Sequence, residues 1–104
     1  MATTYTNFTL DELAVEAAKT AGYDGEVNAD FIRTPDRLSV RWERSAKWVH
    51  FYVSHWLMDA QEDLVREVLI KVFGTIMGKD VGESSDALKK WVEENRHRWE
   101  AVGS

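Results

Sequence analysis

Apolar residues recur along this chain with two different periods, and the change of period divides it into elements. Near the amino end the spacing is helical, at Leu10, Leu13, Ala14, Ala17 and Ala21. This stripe predicts a first helix that begins at a capping box formed by Thr9 and Glu12, with Phe8 and Leu13 as a hydrophobic staple. Gly22 should end it.

Between positions 26 and 57 the period changes to two, which is typical of half-buried strands. Alternating apolar positions predict three strands, at 27–31, 38–42 and 49–53. Turn-forming residues at 34–37 and 45–47 separate them. Because the connections are short, we expect an antiparallel meander whose first two strands form a hairpin.

Two more helices should follow the strands. Asp59 and Glu62 repeat the capping signature ahead of apolar positions at helical spacing, and Gly78 is a suitable terminator. The last helix has one apolar face, made by Leu88, Trp91, Val92 and Trp99. The predicted fold is therefore a single α+β domain over residues 1–104, in the order α-β-β-β-α-α, with residues 1–7 flexible and 101–104 a tail.

Composition narrows the classes of function. The 104 residues include no cysteine, which excludes disulfides and thiolate chemistry, and the net charge of -5 disfavours nucleic acid and anionic membrane as partners. The first residues lack a basic region followed by an apolar run, so no secretory leader is expected. We expect a cytoplasmic protein without nucleic-acid or membrane partners.

The three histidines do not form a metal site by spacing. His50 and His55 are five residues apart on a predicted strand, which would direct their side chains to opposite faces, and His97 lies alone in a charged helix segment. Ser54 beside His55 is not a dyad for the same reason, and the dispersed glycines form no phosphate loop. No metal, no cofactor and no catalytic residue is therefore predicted.

Residues 48–77, WVHFYVSHWLMDAQEDLVREVLIKVFGTIM, resemble a segment of SprT-like and minigluzincin-type zinc peptidases. In those families a strand leads through an acidic cap into the helix that carries H-E-x-x-H. The resemblance places Lys71 and Thr75 at the positions of the two zinc-binding histidines, and Val72 at the position of the general-base glutamate. It implies a zincin-like scaffold that has lost its metal-binding motif.

A second family shares the α-β-β-β-α order. Double-stranded RNA-binding domains contact phosphates with lysines near the start of their last sheet-packed helix. The corresponding helix here opens with Gln61, Glu62 and Asp63, whose carboxylates would repel phosphate. The acidic start argues against duplex binding.

Two hypotheses of function remain. The first is a non-catalytic peptide-binding or assembly module that uses an edge strand, with the third strand as that edge and His50, Tyr52 and Trp56 as candidate peptide contacts. Its partner would be a protein, a peptide or a second copy of the chain. The alternative is a metal-dependent hydrolase with re-sited ligands, recruiting His50 or His55 with nearby carboxylates.

Overall fold

The computed structural model describes residues 7–103, with side chains from 9 to 101. Its elements are α1 (Asn7–Ala21), β1 (Glu26–Ile32), β2 (Val40–Arg44), β3 (Trp48–Ser54), a short 3-10 helix (His55–Asp59), α2 (Glu62–Ile76) and α3 (Asp86–Gly103). The α+β class and the order of the helices and strands are confirmed. The 3-10 helix is an addition that the sequence pattern did not predict.

The sheet is mixed, with the strand order β1-β3-β2. β1 lies parallel to β3, and β2 lies antiparallel to β3. The prediction of an antiparallel meander is therefore wrong, and so is the hairpin between the first two strands. β3 takes the centre because its inward side chains, Val49, Phe51 and Val53, are all fully buried at 0% exposure, whereas β2 is mostly exposed.

Helices α1 and α2 cover the inner face of the sheet, where the core lies. Phe51 of β3 meets Phe73 of α2 edge to face, with ring centroids 4.9 Å apart at 82°. Ala29 of β1 is small and buried, and the elements β1 and α1 pack closely there. The core thus contains side chains from every helix and from β1 and β3.

The first helix has the predicted apolar stripe but a different start. Leu10, Leu13 and Ala14 are buried, and Gly22 with φ of +84° ends the helix as expected. Because α1 begins at Asn7, Thr9 lies inside its first turn and the capping box is wrong. The Phe8 staple depends on a side chain that the structure does not describe, and residues 1–6, expected to be flexible, fall outside the described residues, while Asn7 belongs to the helix.

Helix α2 also begins differently from the prediction. Its N-cap is Gln61, and Asp59 belongs to the preceding 3-10 helix, so the second capping signature is wrong as well. Its end is as predicted, because Gly78 has φ of +73° directly after the C-cap. The Arg44 guanidinium donates to the Ile76 carbonyl at 2.9 Å and satisfies one of the last helical acceptors.

An ion network fastens α2 to α1. The Arg66 guanidinium donates to the carboxylates of Glu16, Glu62 and Asp63 at 2.9 to 3.1 Å. Hydrogen bonding to Glu16 raises the pKa of Arg66 above its ordinary value. The two helices are therefore held at their exposed surfaces as well as through the core.

The last helix is longer than expected. α3 is helical through Gly103, so residues 101–103 of the expected tail continue the helix, and Ser104 falls outside the described part of the chain. Leu88 and Trp99 are its buried anchors. Among residues 7–103, no helix combines the length and apolarity that a bilayer crossing requires.

Candidate functional site

Helix α2 carries the three positions that match the lost peptidase motif. Lys71 and Thr75 are four residues apart and therefore lie on one side of the helix. The Lys71 ammonium donates to the Gly82 carbonyl at 3.0 Å, and the Thr75 hydroxyl donates to the Lys71 carbonyl at 3.1 Å. Val72 packs against the core. These groups bond the backbone of their own region and offer no imidazole or carboxylate to a metal ion.

His50 and Tyr52 lie on the outer face of β3. The His50 Nε2 atom is 2.7 Å from an Asp30 carboxylate oxygen, and the His50 and Tyr52 rings stack with centroids 4.7 Å apart. Since β3 is flanked by β1 and β2, the prediction that this strand is an edge is wrong. An extended peptide cannot add to it, because both of its edges are paired.

Trp56 lies elsewhere, in the 3-10 helix, where its ring contacts α3. Its indole N–H donates to the Thr34 carbonyl at 2.8 Å, and the Arg98 guanidinium lies 4.8 Å from the ring centroid. The neighbouring His55 ring accepts the Thr34 amide hydrogen through Nδ1 at 3.0 Å. The structure therefore does not bring Trp56 together with His50 and Tyr52, and within residues 7–103 no three His, Asp or Glu side chains are grouped to hold a metal.

The two edges of the sheet differ in how they are protected. On β1, the Ala29 amide donates to the Asp11 carboxylate of α1 at 2.6 Å, so a helix side chain caps one outward backbone donor of that edge. On β2, no other strand of residues 7–103 pairs with the outer edge. We call this unpaired side of β2 the open edge of the sheet.

The phase of the β2–β3 ladder shows which backbone groups are open. The Ser54 amide donates to the Ser39 carbonyl and the Ser45 amide donates to the Trp48 carbonyl, both at 2.9 Å. These two hydrogen-bonded pairs lie at the two ends of the ladder. Hydrogen-bonded pairs alternate with non-hydrogen-bonded pairs along antiparallel strands. The backbone N–H and C=O groups of Arg41 and Glu43 therefore also point toward β3 and bond to it. The N–H and C=O groups that point outward belong to Val40, Trp42 and Arg44.

An apolar groove of about 520 Å³ adjoins the open edge. It lies between β2, α2 and α3, and its apolar lining consists of Leu38, Val40, Leu57, Val68, Leu88 and Val92. Lys89, Glu93 and Arg96 of α3 give it a charged rim. Trp42 follows Val40 on the same face of β2 and is 37% exposed.

The groove and the open edge were missed by reasoning from sequence. One signal was present, since residues 41, 43 and 44 place three charges on a five-residue strand, and charged side chains are enriched on edge strands. The period-two pattern hid this signal, because alternation is the same in central and edge strands. The pairing order had to be known first.

The chain matches no family model, no curated protein and no solved structure. The resemblance to zinc peptidases therefore remains a prediction that rests on residues 48–77. A function can be inferred instead from the unpaired backbone groups of β2 and the apolar groove beside them.

Proposed function

We propose that this protein is a non-catalytic binding and assembly module that accepts an extended strand of a protein partner along the open edge of β2. The carrying observation is the outward row of backbone groups on Val40, Trp42 and Arg44 beside the apolar groove. A docked strand would continue the ladder through its main chain. Its alternate side chains would lie next to Val40, which lines the groove, and next to the exposed ring of Trp42.

The non-catalytic part of the proposal is supported by the chemistry of α2. Lysine repels a dication, valine transfers no proton, and a threonine hydroxyl is a weak ligand for zinc. The zincin-like origin of the scaffold belongs to the same proposal. In that view the loss of the motif at Lys71, Val72 and Thr75 ended hydrolysis and left strand recognition.

The proposal moves the binding site from the third strand to the second. Of the candidate contacts predicted from sequence, His50 and Tyr52 belong to the outer sheet face and Trp56 anchors the 3-10 helix against α3. Val40 and Trp42 replace them as the residues beside a docked strand. The exposed Trp42 ring is the largest side chain on that edge.

Selection of peptides from a random display library, followed by binding to two variants, tests this function. Trp42→Pro removes the outward amide hydrogen, and the matched control Trp42→Ala removes the same side chain but keeps that hydrogen. We expect selected peptides to bind the proline variant at least about tenfold more weakly than the alanine variant. The proline variant loses one backbone hydrogen bond to the peptide, and its pyrrolidine ring obstructs the edge of the strand. Circular dichroism checks that both variants are folded.

The binding site itself can be read by nuclear magnetic resonance. Peptide addition should perturb the amide signals of Val40, Trp42 and Arg44 and slow their hydrogen exchange. Equal peptide affinity for the two variants, or perturbation confined to other surfaces, would refute strand addition at β2.

A further inference from the structure

The outer face of β2 carries two opposite charges at a spacing of two residues. Arg41 lies across from Tyr52 of β3, and Glu43 lies across from His50. Both side chains are exposed, and within residues 7–103 neither forms an ion pair. Many other charged residues of the chain are engaged, so β2 offers two unmatched charges on a short open edge.

A second copy of the same strand can pair with this edge in only a few antiparallel registers. New hydrogen bonds can form only between backbone N–H and C=O groups that are not already bonded to β3. Residues Val40, Trp42 and Arg44 of one copy must therefore lie across from residues of the same set in the other copy. A shift by one residue would place them opposite groups already bonded to β3. The well-overlapped symmetric registers are therefore centred on Trp42, on Arg41 or on Glu43.

Charge separates these three registers. Centring on Arg41 sets it against the partner subunit's Arg41, and centring on Glu43 sets it against the partner subunit's Glu43. Centring on Trp42 pairs Arg41 with the partner subunit's Glu43, and the two-fold axis repeats that pair. Opposite charges across strands stabilise a sheet and like charges destabilise it, so the Trp42 register is selected.

We infer that the strand accepted by β2 is the β2 strand of a second copy of this chain, in an antiparallel register centred on Trp42. This inference rests on the proposed function and names its partner. The contact is isologous, as a two-fold axis requires, and the sheet continues from one copy into the next. Trp42 packs beside the partner subunit's Trp42 on the inner face, which covers the exposed ring, and Val40 lies across from the partner subunit's Arg44.

The charges on β2 also make its open edge selective for the strand that it pairs with. A charged edge strand resists pairing with a generic apolar strand. In an antiparallel pair the second strand runs in the reverse direction, so Arg41 faces the partner subunit's Glu43 and Glu43 faces the partner subunit's Arg41. The edge therefore favours one partner and one register.

Sedimentation equilibrium of charge-reversed variants tests the inference. Arg41→Glu sets two carboxylates against each other at both cross-strand pairs, and Glu43→Arg sets two guanidinium groups against each other. Each variant alone should therefore dimerise at least about tenfold more weakly than wild type. An equimolar mixture of the two should recover a heterodimer, because every cross-strand pair is then complementary. The double variant R41E/E43R should dimerise like wild type with the same net charge.

The outcomes separate this inference from the proposed function. A wild-type protein that stays monomeric at millimolar concentration, or a dimer indifferent to both reversals, overturns self-pairing. If selected peptides still bind Trp42→Ala better than Trp42→Pro in that case, strand acceptance by β2 stands and only the identity of the partner is wrong. If neither dimer nor peptide engages the edge, both fail.

Discussion

The hydroxyl groups of Thr34 and Ser54 meet in the interior of the molecule, 2.5 Å apart. The Thr34 hydroxyl also lies 2.9 Å from the Arg37 carbonyl, and the Ser54 hydroxyl lies 3.4 Å from it. These bonds hold the connection between β1 and β2 against the end of β3. By contrast, the buried hydroxyl of Ser39 has no hydrogen-bond partner among the described residues.

The two serines should respond in opposite ways to the same substitution. Ser54→Ala removes a partner of the buried Thr34 hydroxyl and is expected to lower the free energy of unfolding by about 1–2 kcal/mol. Ser39→Ala removes a buried group that bonds nothing, so its effect should be neutral or stabilising. Urea unfolding of both variants checks this. Equal destabilisation by the two would show that the hydroxyl pair contributes nothing specific.

At this scale the sequence predicted burial well in the middle of the sheet and less well at its rim. Val49, Phe51 and Val53 were expected on one face and are fully buried. Trp42 lies at an apolar position of the second predicted strand, yet it is 37% exposed, and Trp48 is 38% exposed. Alternation identifies the face on which a side chain lies, but it does not say whether another element covers that face.

Between elements, the capped edge of β1 is the counterpart of the open edge of β2. Asp11 projects from α1 to the Ala29 amide, and this single carboxylate joins a helix to a strand. A charged acceptor on a backbone amide is among the stronger hydrogen bonds. Neither its position nor its partner was evident from the helical stripe, because Asp11 lies between the stripe residues.

Removal of that carboxylate should weaken the α1–β1 contact. Asp11→Ala is expected to cost about 1–2 kcal/mol of unfolding free energy, because the Ala29 amide loses its acceptor in a partly buried place. Glu12→Ala, on the same helix but exposed, is the matched control and should change stability by less than about 0.5 kcal/mol. Chemical unfolding measures both, and equal losses would contradict the capping role.

The order of pairing is the element-scale feature that the sequence could not supply. Period and length predicted each strand and helix to within a few residues. Pairing depends on which strand buries most apolar surface, and β3 gains more at the centre than β2 would. The 33–39 connection is long enough to pass to the far edge, so a hairpin was not obligatory.

Across the whole molecule, α3 is anchored by the buried Leu88 and by the aromatic contact that Trp99 makes with Trp56 of the 3-10 helix. Trp99 is 6% exposed, and its ring centroid lies 6.1 Å from that of Trp56 and 6.2 Å from that of Trp91. Arg98 adds an ion pair with Asp59 at 2.9 Å. The position of α3, and with it one wall of the groove, depends on this cluster.

Two tryptophan substitutions should therefore differ in cost. Trp99→Ala is expected to lower the free energy of unfolding by about 3–4 kcal/mol, because it leaves a cavity under α3. Trp42→Ala, at the exposed edge, should cost less than about 1 kcal/mol. Denaturant titration compares them, and hydrogen exchange should show faster exchange throughout α3 in the Trp99 variant. A small effect at Trp99 would mean that α3 is anchored elsewhere.

Chelation tests the proposal that the protein binds no metal ion at α2. Since Lys71, Val72 and Thr75 present no metal ligands of the usual kind, EDTA should leave the melting temperature unchanged, and added zinc should not raise it. Thermal scans with elemental analysis measure this. Stoichiometric zinc whose removal lowers the melting temperature would instead support the hydrolase with re-sited ligands.

The strand order has a consequence for the nascent chain. β3 is the middle strand of the sheet but the last of its three strands to leave the ribosome, so β1 and β2 emerge before the strand to which both of them bond. The sheet can close only after residue 54 is free, and then it closes on both sides of one strand at once. Interrupted synthesis before that point yields a fragment with two unpaired strands, which should be cleared or aggregate rather than persist half-folded.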